Sequence, residues 1–169
     1  SSSDIAVAAV GTGDGFVIGV SGGTAIISYI MAGSGCYTTS VVTVNPLPAS
    51  ISGVPVVCAG SAITLSDGTA GGTWSSVNPG IGSVGSTSGV VTGTGPAGGT
   101  TTIIYTLSTG CTTNVIVTIN PTPLGITGVT SVCAGQTTAL TDATTGGNWS
   151  SSNPTVATVG ATGIVTGVS

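Results

Sequence analysis

The chain has 169 residues, with four aspartates, no glutamate, lysine, arginine or histidine, and a formal net charge of −4. This composition excludes catalysis that relies on a general base, a cationic clamp or an imidazole ligand, so we expect a non-enzyme without cofactor or metal. It also excludes binding to nucleic acid or to an anionic lipid surface, because no cationic side chain is available to neutralise phosphates.

The hydrophobic residues make up 40% of the chain and are mostly Val, Ile and Ala that alternate with Thr and Ser. β-Branched residues at a period of two are typical of strands that bury one face. No apolar run reaches the eighteen or so residues of a membrane-spanning helix, so we expect no direct membrane insertion. The sequence predicts an all-β fold.

The chain is built on a repeat of 75 residues: Cys36 recurs at Cys111, Cys58 at Cys133, and Trp74 at Trp149. The period divides the chain into the rear part of one repeat (1–50), a complete repeat (51–125) and the front part of a third (126–169). We expect the polypeptide to continue at both ends. Strand exchange between subunits is the alternative for completing the outer repeats.

Within the complete repeat, Gly, Pro and Asn separate seven strand-like runs, near 53–58, 61–66, 72–76, 81–85, 89–93, 100–108 and 112–119. Seven short strands favour a two-sheet sandwich with Greek-key connections. A parallel β-helix would need a much shorter repeat. Paired prolines in NPLP (45–48) and NPTP (120–123) predict semi-rigid spacers, so we expect the sandwiches to form a linear array.

The segment WSSSNPTVATVGATGIVTGVS, which begins at Trp149, resembles the signature of bacterial immunoglobulin-like group 2 (BIG2-like) domains. The VCAG and TGCTTN segments resemble the cysteine-containing repeats of very long Bacteroidota surface proteins, the gliding-type adhesins exported by type IX secretion. The resemblance implies tandem immunoglobulin-like domains at the bacterial surface, with a role in adhesion, spacing or filament building.

Four cysteines without a metal-type spacing or any histidine predict disulfides and a secreted, extracellular location. Cys58 lies at the first turn of its repeat and Cys111 at the last, so the strand map places them at opposite poles. A first-turn cysteine would then bond to the last-turn cysteine of the next domain. If the first strand is shorter or displaced, a bond between Cys58 and Cys111 remains open.

The aromatic residues Trp74 and Trp149 are predicted core residues, rather than platforms for stacking sugars. Tyr29 and Tyr105 lie on equivalent sixth strands and are predicted to cap the core, as a tyrosine corner does. Asp67 and Asp142 are better explained as turn residues than as calcium ligands, because each repeat supplies a single carboxylate.

These expectations favour a stalk or fibre-forming array whose main partners are copies of itself, assembled laterally or end to end. The alternative is a cell-surface module that binds carbohydrate or a receptor through loops at one pole. Surface glycans are a further partner to consider, because the surface is rich in Ser and Thr hydroxyls. Asn148-Trp149-Ser150 fits the N-glycosylation sequon formally, but it abuts a predicted core strand and therefore carries little weight.

Overall fold

The computed structural model describes residues 1–168, which form fifteen strands and no helix. The all-β fold expected from the sequence is therefore confirmed. No helix within these residues is long and apolar enough to cross a membrane. The chain divides into two compact units, Ser1–Asn120 and Pro121–Ser169, which are described separately below.

The first unit begins with two antiparallel pairs of strands. These are β1 (Ala8–Val10) with β2 (Val17–Gly19), and β3 (Gly23–Ile30) with β4 (Tyr37–Val44). Ala8 and Ala25 are buried where the two pairs pack. An isolated bridge joins Ser2 to Ile27, beside β3.

Seven further strands follow in the first unit and form two sheets. They are β5 (Val56–Cys58), β6 (Ala62–Thr64), β7 (Thr73–Ser76), β8 (Gly82–Val84), β9 (Val90–Gly93), β10 (Gly99–Thr106) and β11 (Thr112–Asn120). One sheet has the order β5-β11-β10-β7 and the other β6-β9-β8. This is the strand arrangement of an immunoglobulin-like sandwich, and all seven strands fall within the runs expected from the sequence or overlap them.

The first strand of the sandwich is split between its two sheets. Ser52 pairs antiparallel with Ser66, on the side of the β6-β9-β8 sheet. After Pro55 the chain crosses over, and β5 pairs parallel with β11 in the opposite sheet, with Asn120 beside Cys58. The predicted run at 53–58 therefore forms a strand only in its second half.

The core of the sandwich lies between these two sheets and is composed of one residue in two from the longer strands. On β10, Thr101, Ile103 and Tyr105 face inward and are buried, while the residues between them are half-buried or exposed. The buried apolar cluster comprises Val57, Ala59, Leu65, Trp74, Val91, Ile103, Tyr105, Val117 and Ile119. Burial of each large apolar side chain in this cluster stabilises the fold by about 1.5–3 kcal/mol.

The second unit contains one sheet of four strands. They are β12 (Thr127–Gly128), β13 (Thr137–Thr141), β14 (Ala157–Val159) and β15 (Ile164–Gly167), in the order β12-β13-β15-β14. Thr127 pairs with Thr141, as Ser52 does with Ser66, and Ala134 bridges Gly167, as Ala59 does Gly93. The sheet thus reproduces the β6-β9-β8 side of the complete sandwich.

Candidate functional site: the core aromatic pair, the turn residues and the hairpin face

The core of the complete sandwich is organised by Trp74 and Tyr105, which are neighbours on β7 and β10. Their ring centroids are 4.7 Å apart and their planes are tilted by 50°. Both are buried, with exposed fractions of 7% and 5%. The Tyr105 hydroxyl donates to the Thr69 carbonyl at 2.6 Å and accepts from the Gly72 N–H at 2.8 Å. Tyr105 therefore joins the core to the loop before β7, whereas a tyrosine corner bonds to backbone only a few residues away.

Gly89 closes the core above Trp74. Its φ is +66°, a conformation that favours glycine, and an added Cβ would collide with the Leu65 carbonyl oxygen and approach the Trp74 ring to 3.1 Å. Gly163 has the same relation to Leu140 and Trp149, with φ of +81°. The repeat therefore preserves the tight turn over the tryptophan as well as the tryptophan itself.

Trp149 lies in a partly open version of the same core. It is half-buried, as is Leu140, whereas the equivalent Leu65 is 1% exposed. The open side forms a cavity of about 240 Å³ that includes Ile126, Leu140, Trp149, Ala157, Val159 and Val165 in its lining. In the complete repeat, side chains of β10 and β11 cover the corresponding surface.

Tyr29 corrects one of the core expectations. Its pairing with Thr38 matches the pairing of Tyr105 with Thr113, so the two tyrosines are equivalent in register. Yet Tyr29 is 71% exposed. The core role predicted for Tyr29 is therefore wrong in this structure. Tyr105 is flanked by β7 and its tryptophan, whereas the corresponding edge of β3 has only the isolated bridge between Ser2 and Ile27.

All four carboxylates stabilise local turns. In each case the Oδ1 atom accepts the backbone N–H of the residue two positions later, with partners Asp4–Ala6, Asp14–Phe16, Asp67–Thr69 and Asp142–Thr144. This is the hydrogen bond of an Asx turn. Within residues 1–168, no cluster of three metal-ligating side chains is present.

The cysteines all carry free thiols and occupy turns or strand ends. Cys58 lies beside Asn120, the last residue of β11, whereas Cys111 immediately precedes Thr112, the first residue of that strand. At about 3.3 Å per residue, β11 separates them by roughly 25 Å, far beyond the 7 Å or so between the Cα atoms of a disulfide. Of the two pairings considered from the sequence, Cys58–Cys111 is therefore wrong. Cys36 and Cys133 are exposed at the equivalent turns.

A surface that the sequence analysis missed lies on the outer side of the β3–β4 hairpin. Ile26 pairs directly with Val41 and Ile30 with Tyr37, so these four side chains share one face. Their exposed fractions are 46%, 66%, 56% and 72%. We call this surface the hairpin outer face. The sequence does indicate this surface through the adjacent apolar pairs Ile26-Ile27 and Val41-Val42, because a strand that is apolar at successive positions is apolar on both faces.

No protein-family model matches the chain, and no curated protein matches it. Among solved structures, the chain is similar to a C-terminal 282-residue fragment of intimin in complex with the intimin-binding domain of the translocated intimin receptor. That match has 25% identity, covers 65% of this chain and 43% of that chain, and has a TM-score of 0.43.

The chain is also similar to domains 1–6 of the surface layer protein SbsC, with 20% identity, 100% and 31% coverage, and a TM-score of 0.40. For domains 4 and 5 of that S-layer protein the identity is 25%, the coverage 72% and 68%, and the TM-score 0.28. The chain spans less than half of the intimin fragment and of SbsC domains 1–6.

Proposed function

We propose that the chain is a structural and adhesive segment of an extracellular bacterial surface protein, in which sandwiches of the 75-residue repeat follow one another as a stalk or fibre-forming array. The observation that carries this proposal is the use of every carboxylate in a local turn. With no basic residue and only four aspartates in the sequence, most of the exterior consists of hydroxyl, amide and apolar groups. Such a surface is suited to close contact with neighbours, because little charge has to be desolvated.

The strands that the two outer segments contain favour a serial arrangement of repeats along one chain over strand exchange between chains. The pair β1–β2 lies in the first segment, and the pair β14–β15 occupies the same place in the sandwich. Two chains that completed each other's outer repeats would bring both pairs to a single site. We therefore propose successive repeats, in the manner of BIG2-like Bacteroidota surface proteins, with the proline-containing linkers as spacers.

The hairpin outer face is the proposed lateral contact. In the complete repeat, the positions equivalent to Ile26, Ile30 and Tyr37 are Thr102, Thr106 and Thr112, by the shared register of the two hairpins. Val41 corresponds to Ile116, which is also apolar and 61% exposed, so three of the four apolar positions are specific to the first segment. Burying this face against a second copy removes apolar surface from water, which stabilises the contact by about 25 cal/mol per Å² of apolar area buried.

Sedimentation and electron microscopy of concentrated protein test this proposal. We expect self-association into straight particles of uniform width, and a weakening of about tenfold or more in the variant Ile26→Thr/Val41→Thr, which keeps β-branched residues on both strands. The matched control, Ile26→Val/Val41→Ile, should associate like the unmodified chain. Monomeric, dispersed particles at all concentrations would contradict the proposal.

A carbohydrate- or receptor-binding module is the second candidate, and the exposed aromatic rings favour it. Phe16, Tyr29 and Tyr37 are each at least 70% exposed, whereas Trp74 is in the core. Exposed rings can stack on sugars. Glycan-array binding that is lost in Tyr37→Ser and kept in the association control would support this function over the first.

A further inference from the structure

We infer that the cysteine at the first turn of one repeat and the cysteine at the last turn of the following repeat form a disulfide across the junction. Cys58 would therefore bond to the last-turn cysteine of the following repeat, and Cys111 to the first-turn cysteine of the preceding repeat. The inference rests on the proposed serial array.

The first step is the position of Cys58 at the end of its own repeat. β5 runs parallel to β11 and places Cys58 beside Asn120. The next residue, Ala59, donates its N–H to the Asn120 carbonyl at 2.8 Å. Val57 points into the core, so Cys58, one residue later, points out and is exposed. The first-turn cysteine therefore lies at the pole where the last strand leaves the repeat.

The second step is the position of Cys111 relative to the preceding repeat. Asn45 is 75 residues before Asn120, and each of them is followed by proline. Cys111 Sγ donates to the Asn45 carbonyl at 3.7 Å. The last-turn cysteine of the complete sandwich therefore touches the residue that follows β4, the last strand of the repeat before it.

The third step joins these two observations through the asparagine. In a complete repeat, the carbonyl of this asparagine accepts the N–H that follows the first-turn cysteine; at the junction, the same carbonyl accepts the thiol of the next repeat. The first-turn cysteine pairs with this asparagine at the spacing of neighbouring strands, about 4.8 Å, and the Sγ of the last-turn cysteine lies 3.7 Å from the equivalent carbonyl, so both cysteines are adjacent to the same residue of the array. One bond per junction would link successive sandwiches and fix their relative direction.

Formation of the bond is a two-electron oxidation. Each thiol loses a proton and the two sulfurs join, while a small-molecule disulfide such as oxidised glutathione accepts the two electrons and is released as two thiols. An extracellular location provides the oxidising conditions under which such bonds persist.

The test uses a variant in which a second copy of residues 51–125 is inserted between Gly125 and Ile126, so that two complete repeats follow each other. The variant has six cysteines, the four of the chain and two more. After equilibration with oxidised and reduced glutathione, we expect the free thiols to fall from six to four. Peptide mapping should find one bond, between Cys58 of the first copy and Cys111 of the second; digestion with pepsin is suitable, because trypsin has no site.

Two matched variants identify the bond. Cys111→Ser in the second copy should abolish it, whereas Cys111→Ser in the first copy should leave it intact. A bond between Cys58 and Cys111 of the same copy, or six free thiols in a variant whose circular dichroism matches that of the unmodified chain, would overturn the inference.

The unmodified chain provides a measurement that does not depend on folding of the longer variant. Its Cys58 and Cys111 should stay unbonded to each other under the same conditions, and a bond between them would again overturn the inference. The readout is also separate from the proposed function: a junction disulfide without self-association would leave the bond established and contradict only fibre formation.

Discussion

At the scale of single residues, equivalent positions of the repeat have different surroundings. The sequence predicted one core role for Trp74, Trp149, Tyr29 and Tyr105, because each recurs at the same place in the repeat. Only Trp74 and Tyr105 are buried to 7% exposure or less. A residue pattern specifies which face of a strand is apolar, whereas burial also requires the strand that packs on that face, and that depends on the rest of the sandwich.

The hydroxyl of Tyr105 provides a residue-scale prediction. Tyr105→Phe removes the acceptor of the Gly72 N–H and the donor to the Thr69 carbonyl, both partly buried. We expect a loss of about 1–3 kcal/mol in the free energy of unfolding. Urea unfolding followed by circular dichroism measures it. Tyr29→Phe is the control, since this ring is 71% exposed, and should change the stability by less than about 0.5 kcal/mol. Equal effects in the two variants would contradict the assigned role.

At the scale of elements, the position of every strand in the complete repeat followed from turn residues and alternation, whereas the pairing of the first strand did not. Nothing in the run 53–58 indicates that only its second half is a strand, or that this strand joins the sheet opposite to the one beside which Ser52 pairs. Gly53, with φ of +120°, and Pro55 lie between the Ser52 bridge and β5, where the chain changes sheets. This crossover places Cys58 beside Asn120, about the length of β11 from Cys111, which argues against the pairing Cys58–Cys111; the bond across the junction stays a prediction.

The open side of the β12-β13-β15-β14 sheet provides an element-scale prediction. Extending the chain after Ser169 with a copy of residues 96–120 supplies the strands that cover Trp74 in the complete repeat. We expect Trp149 to become buried, with a blue-shifted emission and reduced quenching by acrylamide. Trp74→Phe in both proteins makes Trp149 the sole reporter. The same extension with Ile103→Asp in the added copy is the control and should leave Trp149 quenchable, because a charged side chain cannot enter the core without a large cost. An unchanged emission in the first extension would show that the cavity does not accept this hairpin.

At the scale of the whole molecule, self-association can arise from complementary charge or from burial of apolar surface, and the near absence of charge favours the second. Contacts between charged surfaces weaken when salt shortens the screening length, whereas apolar contacts do not. This chain has 2% charged residues, and the hairpin outer face consists of apolar residues separated by Ser and Thr. Its association should therefore depend on removal of apolar surface from water rather than on complementary charge.

We expect the association constant to change by less than about twofold between 0.1 and 1 M NaCl, although the Debye length falls from about 10 Å to about 3 Å over this range. Ammonium sulfate, which favours burial of apolar surface, should strengthen association. Thr39→Lys is the variant that makes the assay sensitive to charge, because it places a cation on the hairpin outer face, beside Val41 and Tyr37. Copies of that variant should repel each other at 0.1 M NaCl and recover association at 1 M NaCl, as sedimentation equilibrium would measure. A steep strengthening of association by NaCl in the unmodified chain would mean that repulsion between the aspartates, rather than burial of the hairpin outer face, determines the association constant.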